Sequence, residues 1–203
     1  TKVNEKNAEA VFTVHPSLLS DLSAGMDRMV QQPTGCFEQT SSKNYPNLLV
    51  LDYLQNTNTL DQNLGVRLYD VLEKGYQRLL TFEVKGGGFD WYGKPAAHEG
   101  LTAYGLMQFK DMQRVHRVDQ KLIDRTAKWL LTRKNGKGGW KTSKRALHSW
   151  SAENPAADAY ITWAMSEAGF GGKVRPEIEK SYQDARQTKD PYVMALVINT
   201  LHN

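Results

Sequence analysis

Cysteine is almost missing from this chain: Cys36 is the only one in 203 residues. An internal disulfide is therefore excluded, and paired cysteines give no information about redox compartment. No Asn-x-Ser/Thr sequon occurs, which speaks against a heavily glycosylated product. No stretch reaches the ~18 to 20 apolar residues of a membrane span, so direct membrane insertion is not expected. Charge of one sign is also scarce. The net charge is +4, basic and acidic residues alternate, and no five like charges run together. A nucleic-acid partner needs a basic stripe or patch, and none is present. Metal-ligand spacing is missing too, with no two-Cys and no His-x-x-x-His arrangement. No Gly-x-x-x-x-Gly-Lys-Ser/Thr phosphate loop occurs, and neither metal nor cofactor is expected.

What is present is an ordinary globular composition, 40% apolar and 24% charged, long enough for one domain with a substantial core. A short alternating segment, Ala10-Val11-Phe12-Thr13-Val14, reads as a strand. Beyond it the apolar residues recur at helical spacing, beginning with Leu18, Leu19, Leu22, Met26 and Met29. The pattern predicts helices at about 17–31, 40–55, 62–83, 99–115, 119–133, 156–168, 175–187 and 191–202. Asp119 and Asp190 stand at N-cap positions, and Pro176 and Pro191 fit first helical turns. The fold class expected is all-α, built of helix pairs with short links. Residues 1–16 read as a linker or strand from a preceding domain and 17–203 as the helical domain. The chain opens at Thr1 without a signal peptide, so it reads as part of a larger protein whose targeting signal lies elsewhere.

Two loops look alike. Gly86-Gly87-Gly88-Phe89-Asp90-Trp91 and Gly136-Lys137-Gly138-Gly139-Trp140 each follow a helix and join flexible glycines to an aromatic. Each is expected to form a tight turn whose ring plugs the end of a helical layer. Their recurrence suggests stacked helical hairpins.

The lone cysteine sits in Gly35-Cys36-Phe37-Glu38-Gln39. Free cysteine is most often a small buried hydrophobe. A thiol three residues before a glutamine amide has a second option. If the backbone turns Cys36 Sγ onto the Gln39 side-chain carbonyl, sulfur can displace ammonia and close an internal thioester, which stores an acyl group for a later nucleophile.

That pentapeptide, with Pro33-Thr34 before it and Tyr45-Pro46-Asn47 after it, resembles the thioester segment of the alpha-2-macroglobulin and complement family. The family pattern often has Gly where Phe37 stands. Leu101-Thr102-Ala103-Tyr104, Ala127-Lys128-Trp129-Leu130, Asp158-Ala159-Tyr160-Ile161-Thr162 and Asp190-Pro191-Tyr192-Val193-Met194-Ala195-Leu196 are similar to later helices of the same domain. The resemblance implies an α/α toroid of alternating inner and outer helices, here with fewer helices than the family and so truncated at the C-terminus. It implies a thioester between Cys36 and Gln39, with Glu38 either assisting proton transfer or capping the helix. Phe37, Tyr45, Trp91 and Trp150 would shield the bond. A catalytic histidine is implied in the loop after the second glycine turn, where His148 stands; His98, beside Glu99, is the alternative. His116, His15 and His202 carry no signal.

The activity implied is covalent capture used once per molecule: a protease trap or endopeptidase inhibitor, not a turnover enzyme. Its partners would be proteases, or hydroxyl and amine nucleophiles on target surfaces, together with other domains of the same large protein. The resemblance also implies an innate-defence role and a secreted, periplasmic or cell-envelope location. The missing disulfides and sequons favour a bacterial member. Two other readings stay open. One is a toroidal enzyme on polysaccharide or isoprenoid substrates, although Asp90, Asp111, Asp119 and Asp124 are scattered. The other is a non-covalent binding domain in which no thioester forms.

Overall fold

The computed structural model describes residue 25 and residues 30–141 and 155–203. The expected segment at 10–14, most of that at 17–31, and the sites at His15, His148 and Trp150 lie outside the described residues. Among the described residues from 30 onward, seven α-helices follow in order: α1 (Phe37–Asn56), α2 (Gln62–Leu80), α3 (Glu99–Met112), α4 (Gln120–Leu131), α5 (Pro155–Met165), α6 (Arg175–Gln187) and α7 (Pro191–His202). The all-α expectation holds. The only sheet among the described residues is a two-stranded antiparallel ribbon, β1 (Glu83–Val84) with β2 (Gly88–Phe89), inside the first glycine loop.

Helix starts follow side-chain chemistry. Asp61 Oδ1 accepts from the backbone N–H of Asn63 and Leu64 at 2.9 and 3.1 Å. Asp119 and Asp190 do the same for Lys121 and Tyr192. These caps satisfy donors that the first helical turn leaves free. Four ends lie three residues from the periodicity: the start of α1 at 37 and the ends of α2, α3 and α5 at 80, 112 and 165. Helix α2 stops at Leu80 because the chain turns into β1, and α5 gives way at Met165 to a π-helical turn, Ser166–Phe170, in which Gly169 has φ +88°.

Adjacent helices pair as α1–α2, α3–α4 and α5–α6, while α1–α3, α3–α5 and α5–α7 also touch. The odd helices therefore form an inner row and the even ones lie outside it. Burial explains the division. Helix α3 buries Leu101, Ala103, Gly105, Leu106, Met107, Phe109 and Met112, which surround its axis. Helix α4 buries one stripe, Leu122, Ile123, Thr126, Ala127 and Leu130, and leaves the rest to water. One continuous core runs from Phe37 through Leu68, Phe89, Phe109 and Leu130 to Val174.

The two glycine loops do similar work. Each links an outer helix to the next inner one and seats an aromatic: Phe89 is fully buried and Trp140 nearly so. Each aromatic is tied to a threonine of the following inner helix. The Phe89 N–H donates to Thr102 Oγ1 at 2.9 Å, and Trp140 Nε1–H donates to Thr162 Oγ1 at 3.0 Å. In the first loop the plug is Phe89; Trp91 takes a different place, described next.

Candidate functional site

The thioester-like segment forms the N-terminus of α1. Helicity begins at Phe37, one turn before the apolar periodicity becomes visible, because Cys36 is the N-cap residue. The cap is reciprocal. Gln39 Oε1 accepts from the Cys36 backbone N–H at 3.2 Å, and the Cys36 side chain lies over the Gln39 backbone N–H in a capping-box arrangement. The Gln39 side-chain carbonyl is thereby held on the Cys36 backbone at the positive end of a helix.

Gly35 makes this closure possible. Its φ is +96°, and a Cβ there would come within 2.1 Å of Gln39 Oε1. Its carbonyl is held in turn: Thr40 Oγ1–H donates to it at 3.3 Å, and Arg78 donates from Nε at 3.0 Å and from Nη2 at 2.5 Å. Arg78 also lies over the Phe82 ring. Nothing in the sequence marks Arg78, which reaches the loop from the far end of α2. Its removal is an expected loss of positioning. Arg78→Ala should lower the stability read from denaturant midpoints by about 1–2 kcal/mol, as for a charge-assisted bond at an exposed position. Arg78→Lys should restore part of it.

Phe37, placed among the shielding residues on the sequence, is 0% exposed and faces inward. Its ring meets Phe82 edge-on at 6.1 Å and Phe89 at 5.1 Å. It fixes the start of α1 in the core and covers nothing outside. Tyr45 likewise bonds Asp111 through its hydroxyl and packs on Tyr104; burial and then Asp111 raise its pKa. Trp91 does lie beside the segment. Its carbonyl accepts from the Phe37 N–H at 2.9 Å, and its Nε1–H donates to Glu38 Oε2 at 3.0 Å. Glu38 thus has a local hydrogen-bonding partner from the glycine loop.

His98 joins the same cluster. It is 4% exposed, caps α3 by accepting from the Leu101 N–H on Nδ1 at 3.3 Å, and stacks on Trp91 with centroids 4.8 Å apart. Accepting on Nδ1 leaves the proton on Nε2. Burial lowers its pKa, and Glu99, Asp90 and Glu38 partly oppose this. Of these, Glu99 is held by Arg133 at 2.7 Å. A histidine more easily protonated when unfolded makes folding acid-sensitive. The unfolded chain then binds more protons, so stability is full above the ordinary value near ~6.5 and falls as pH drops below it. His98→Asn, which keeps a cap, should flatten that dependence in urea midpoints measured between neutral and mildly acidic pH.

Glu38, Trp91 and His98 line one cavity with Tyr104, Tyr160 and Tyr192. The contribution of Tyr160 and Tyr192 from the later helices was not legible in the sequence. The other histidines lie elsewhere: His116 pairs with Glu73 at 2.9 Å and meets Tyr76, and His202 closes α7. The scattered aspartates have separate local tasks. Asp90 accepts from the N–H groups of Tyr92 and Lys94, Asp119 caps α4, and Asp124 bonds Gln120. Among the described residues no group of His, Cys, Asp and Glu side chains could hold a metal ion, and no helix is long and apolar enough to cross a membrane.

A row of inner helices flanked by outer ones, with a Cys–Gln cap at one inner N-terminus, defines a helical domain of the alpha-macroglobulin kind. The chain belongs to the A-macroglobulin TED domain family, whose model matches residues 11–202. It is 26% identical over 148 residues to the Anopheles gambiae thioester-containing protein 1, in its S3 and R1 alleles. That match covers 72% of this chain and 11% of the relative's length, so the chain spans about a tenth of the curated relatives.

Among solved structures, native alpha-2-macroglobulin from Escherichia coli, from domain MG7 to the C-terminus, shares the fold. The TM-score is 0.65 at 18% identity, covering 90% of this chain and 28% of that one. Salmonella alpha-2-macroglobulin reacted with methylamine matches with a TM-score of 0.55 at 20% identity, covering 80% of this chain and 11% of that one.

Proposed function

We propose that Cys36 and Gln39 form an internal thioester used for single-turnover covalent capture, within a larger alpha-macroglobulin-like protein that traps proteases. The observation that carries this reading is the reciprocal cap, in which the Cys36 N–H bonds the very oxygen that a thioester would keep as its carbonyl. In closure, Cys36 Sγ attacks the Gln39 side-chain carbon, the C–N bond breaks, and ammonia leaves with the thiol proton. The Cys36 N–H and the helix N-terminus stabilise negative charge developing on Oε1. The stored acyl group then passes to a nucleophile: a hydroxyl or amine adds, the C–S bond breaks, and Cys36 is released as a thiol.

The histidine that would assist a hydroxyl is His148, from the family resemblance, or His98, which shares the Glu38 cavity. Trp91 shields the segment from one side, and other domains of the full protein would complete its cover. The whole protein acts outside the cytoplasm, on proteases or target surfaces. Residues 17–203 form the helical domain, with 1–16 leading in from a preceding one.

Intact mass and peptide mapping across residues 35–39 test the reading. Wild type is expected to contain a species lighter by one ammonia that methylamine converts to a free Cys36 thiol. Gln39→Glu is expected to lack it and to incorporate no amine. Amine incorporation into that variant, or a wild-type chain with Gln39 and a free thiol throughout, would refute the thioester.

A further inference from the structure

Buried polar side chains on α1 are not all treated alike. Asn47 is 1% exposed and fully engaged: its Oδ1 accepts from the Gln31 N–H at 3.1 Å and its Nδ2 donates to the Gln31 carbonyl at 2.8 Å. Ser41 and Asn44 on α1 and Gln108 on α3 differ. Each is 0% exposed. Ser41 Oγ and both polar atoms of the Asn44 and Gln108 amides have no hydrogen-bond partner among the described residues. A buried hydroxyl or amide left in that state is costly, so these groups call for a partner.

The surrounding contacts put the three residues in one seam. Phe37 reaches Gly105, where a Cβ would meet its Cζ at 2.8 Å, and the Tyr45 hydroxyl bonds Asp111. Residue numbers rise together, so α1 and α3 run side by side in the same direction. Ser41 stands one turn from both Phe37 and Tyr45 on one helix face, and Gln108 stands midway between Gly105 and Asp111 on the facing one. The two side chains therefore lie opposite each other. Asn44 is a turn further along α1 and faces α2, since a Cβ on Gly75 would come within 2.2 Å of its Oδ1. The adjacent Tyr76 meets the Phe109 ring at 6.2 Å, which joins α2 to α3 beside it. Ser41 is also the small member of its row, between the large rings of Phe37 and Tyr45.

We propose that this seam between α1, α2 and α3 is a binding site for ordered water, which bridges Ser41, Asn44 and Gln108. The donor set selects water over an ion. Each amide offers two N–H donors and one carbonyl oxygen, and the serine hydroxyl both donates and accepts. A cation would leave the N–H groups unmet and an anion the carbonyls. Water meets both kinds, and buried waters make about three hydrogen bonds each. The site lies within the first turns of α1, two residues past Gln39, and ties that helix to both of its neighbours. It holds whether or not Cys36 and Gln39 form a thioester.

Two readouts on the 203-residue chain test the site. In NMR spectra of the wild type, the side-chain NH2 groups of Asn44 and Gln108 are expected to show dipolar cross-peaks to water, opposite in sign to chemical exchange in the rotating frame. Cross-peaks missing at either amide would overturn the proposal. Denaturant midpoints are then compared for Ser41→Ala, Gln108→Met and the double variant. Methionine keeps the size and shape of glutamine and removes its polar atoms. In a dry seam Gln108→Met deletes unpaired groups, and the midpoint rises or stays the same. With bridging water it strips a partner from that water, and the midpoint falls. The double variant is expected to fall by less than the sum of the single changes, because the shared water is lost once. A raised or unchanged midpoint in Gln108→Met, or additive effects, would refute a shared water. Direct bonds among the three side chains would give coupling without water cross-peaks, which also refutes it.

Discussion

Gly35→Ala is expected to abolish thioester formation while leaving the protein folded. Two effects act at the same atoms. At φ +96° an L-residue is strained, costing about 1–3 kcal/mol. In addition, the new Cβ would sit 2.1 Å from Gln39 Oε1, 2.8 Å from its Cβ and 3.0 Å from its Cδ, so Gln39 must leave the cap. The displaced group is the acyl donor itself, and relaxation that relieves the clash breaks the geometry needed for attack by Cys36. A milder outcome would follow if the contact were with a distant flexible end, but Cβ and Cδ lie close to the helix backbone. The measurement is intact mass with and without methylamine, alongside thermal unfolding. Loss of the ammonia-lighter species with a melting temperature lowered by only a few degrees is expected. A normal thioester in Gly35→Ala would show that the described cap is not the reactive conformation.

Phe37→Ala is expected to act through stability, and more severely. The ring is fully buried and touches Phe82 and Phe89. Gly105 on α3 leaves room for it, since a Cβ there would meet Phe37 Cζ at 2.8 Å. No backbone shift can refill that space cheaply, because α1, α3 and the glycine ribbon are each fixed by their own contacts. Truncations of this kind cost about 3–5 kcal/mol, a large share of the about 5–15 kcal/mol that holds a typical domain folded. At roughly 2–4 °C per kcal/mol for a domain of this size, the melting temperature should fall by about 10 °C. Denaturant midpoints for Phe37→Ala and Phe37→Leu would check it. The leucine variant should keep most of the stability, and a fall of under about 1 kcal/mol in the alanine variant would contradict the packing described for α1. The same substitution separates anchoring from shielding. If Phe37 covered the thioester from outside, its loss would speed hydrolysis without this loss of stability.

The helical class was legible because each helix carries its own period and its own cap. Asp119 and Asp190 determine where α4 and α7 begin through bonds to backbone only two residues away. Local chemistry of that kind needs no knowledge of the rest of the chain. The Cys36–Gln39 pair was legible differently, from the pentapeptide Gly35-Cys36-Phe37-Glu38-Gln39 that contains it. Boundaries shifted where a non-local contact intervened. Helix α2 ends at Leu80 because Glu83 pairs with Phe89, and at the start of α1 the Trp91 carbonyl takes up the Phe37 N–H beside the Cys36 cap.

Tertiary structure alone decided what surrounds the motif. Arg78 is separated from Gly35 by the whole of α1 and most of α2, and only the antiparallel packing of those helices brings its guanidinium to the Gly35 carbonyl. Tyr160 and Tyr192 reach Glu38 because inner helices stack on inner helices, which puts residues from opposite ends of the chain around one cavity. Phe37 and Trp91, both expected to lie over the motif, parted for a similar reason, Phe37 into the core and Trp91 beside the segment. Both are aromatic and near the motif in the chain or its loop, and burial direction is a property of the assembled layers. Sequence by itself determined the Cys36–Gln39 pair and the helices. The fold determined which side chains hold that pair, which cover it, and what charge meets an incoming group, because those contacts join residues whose separation along the chain has no period to read.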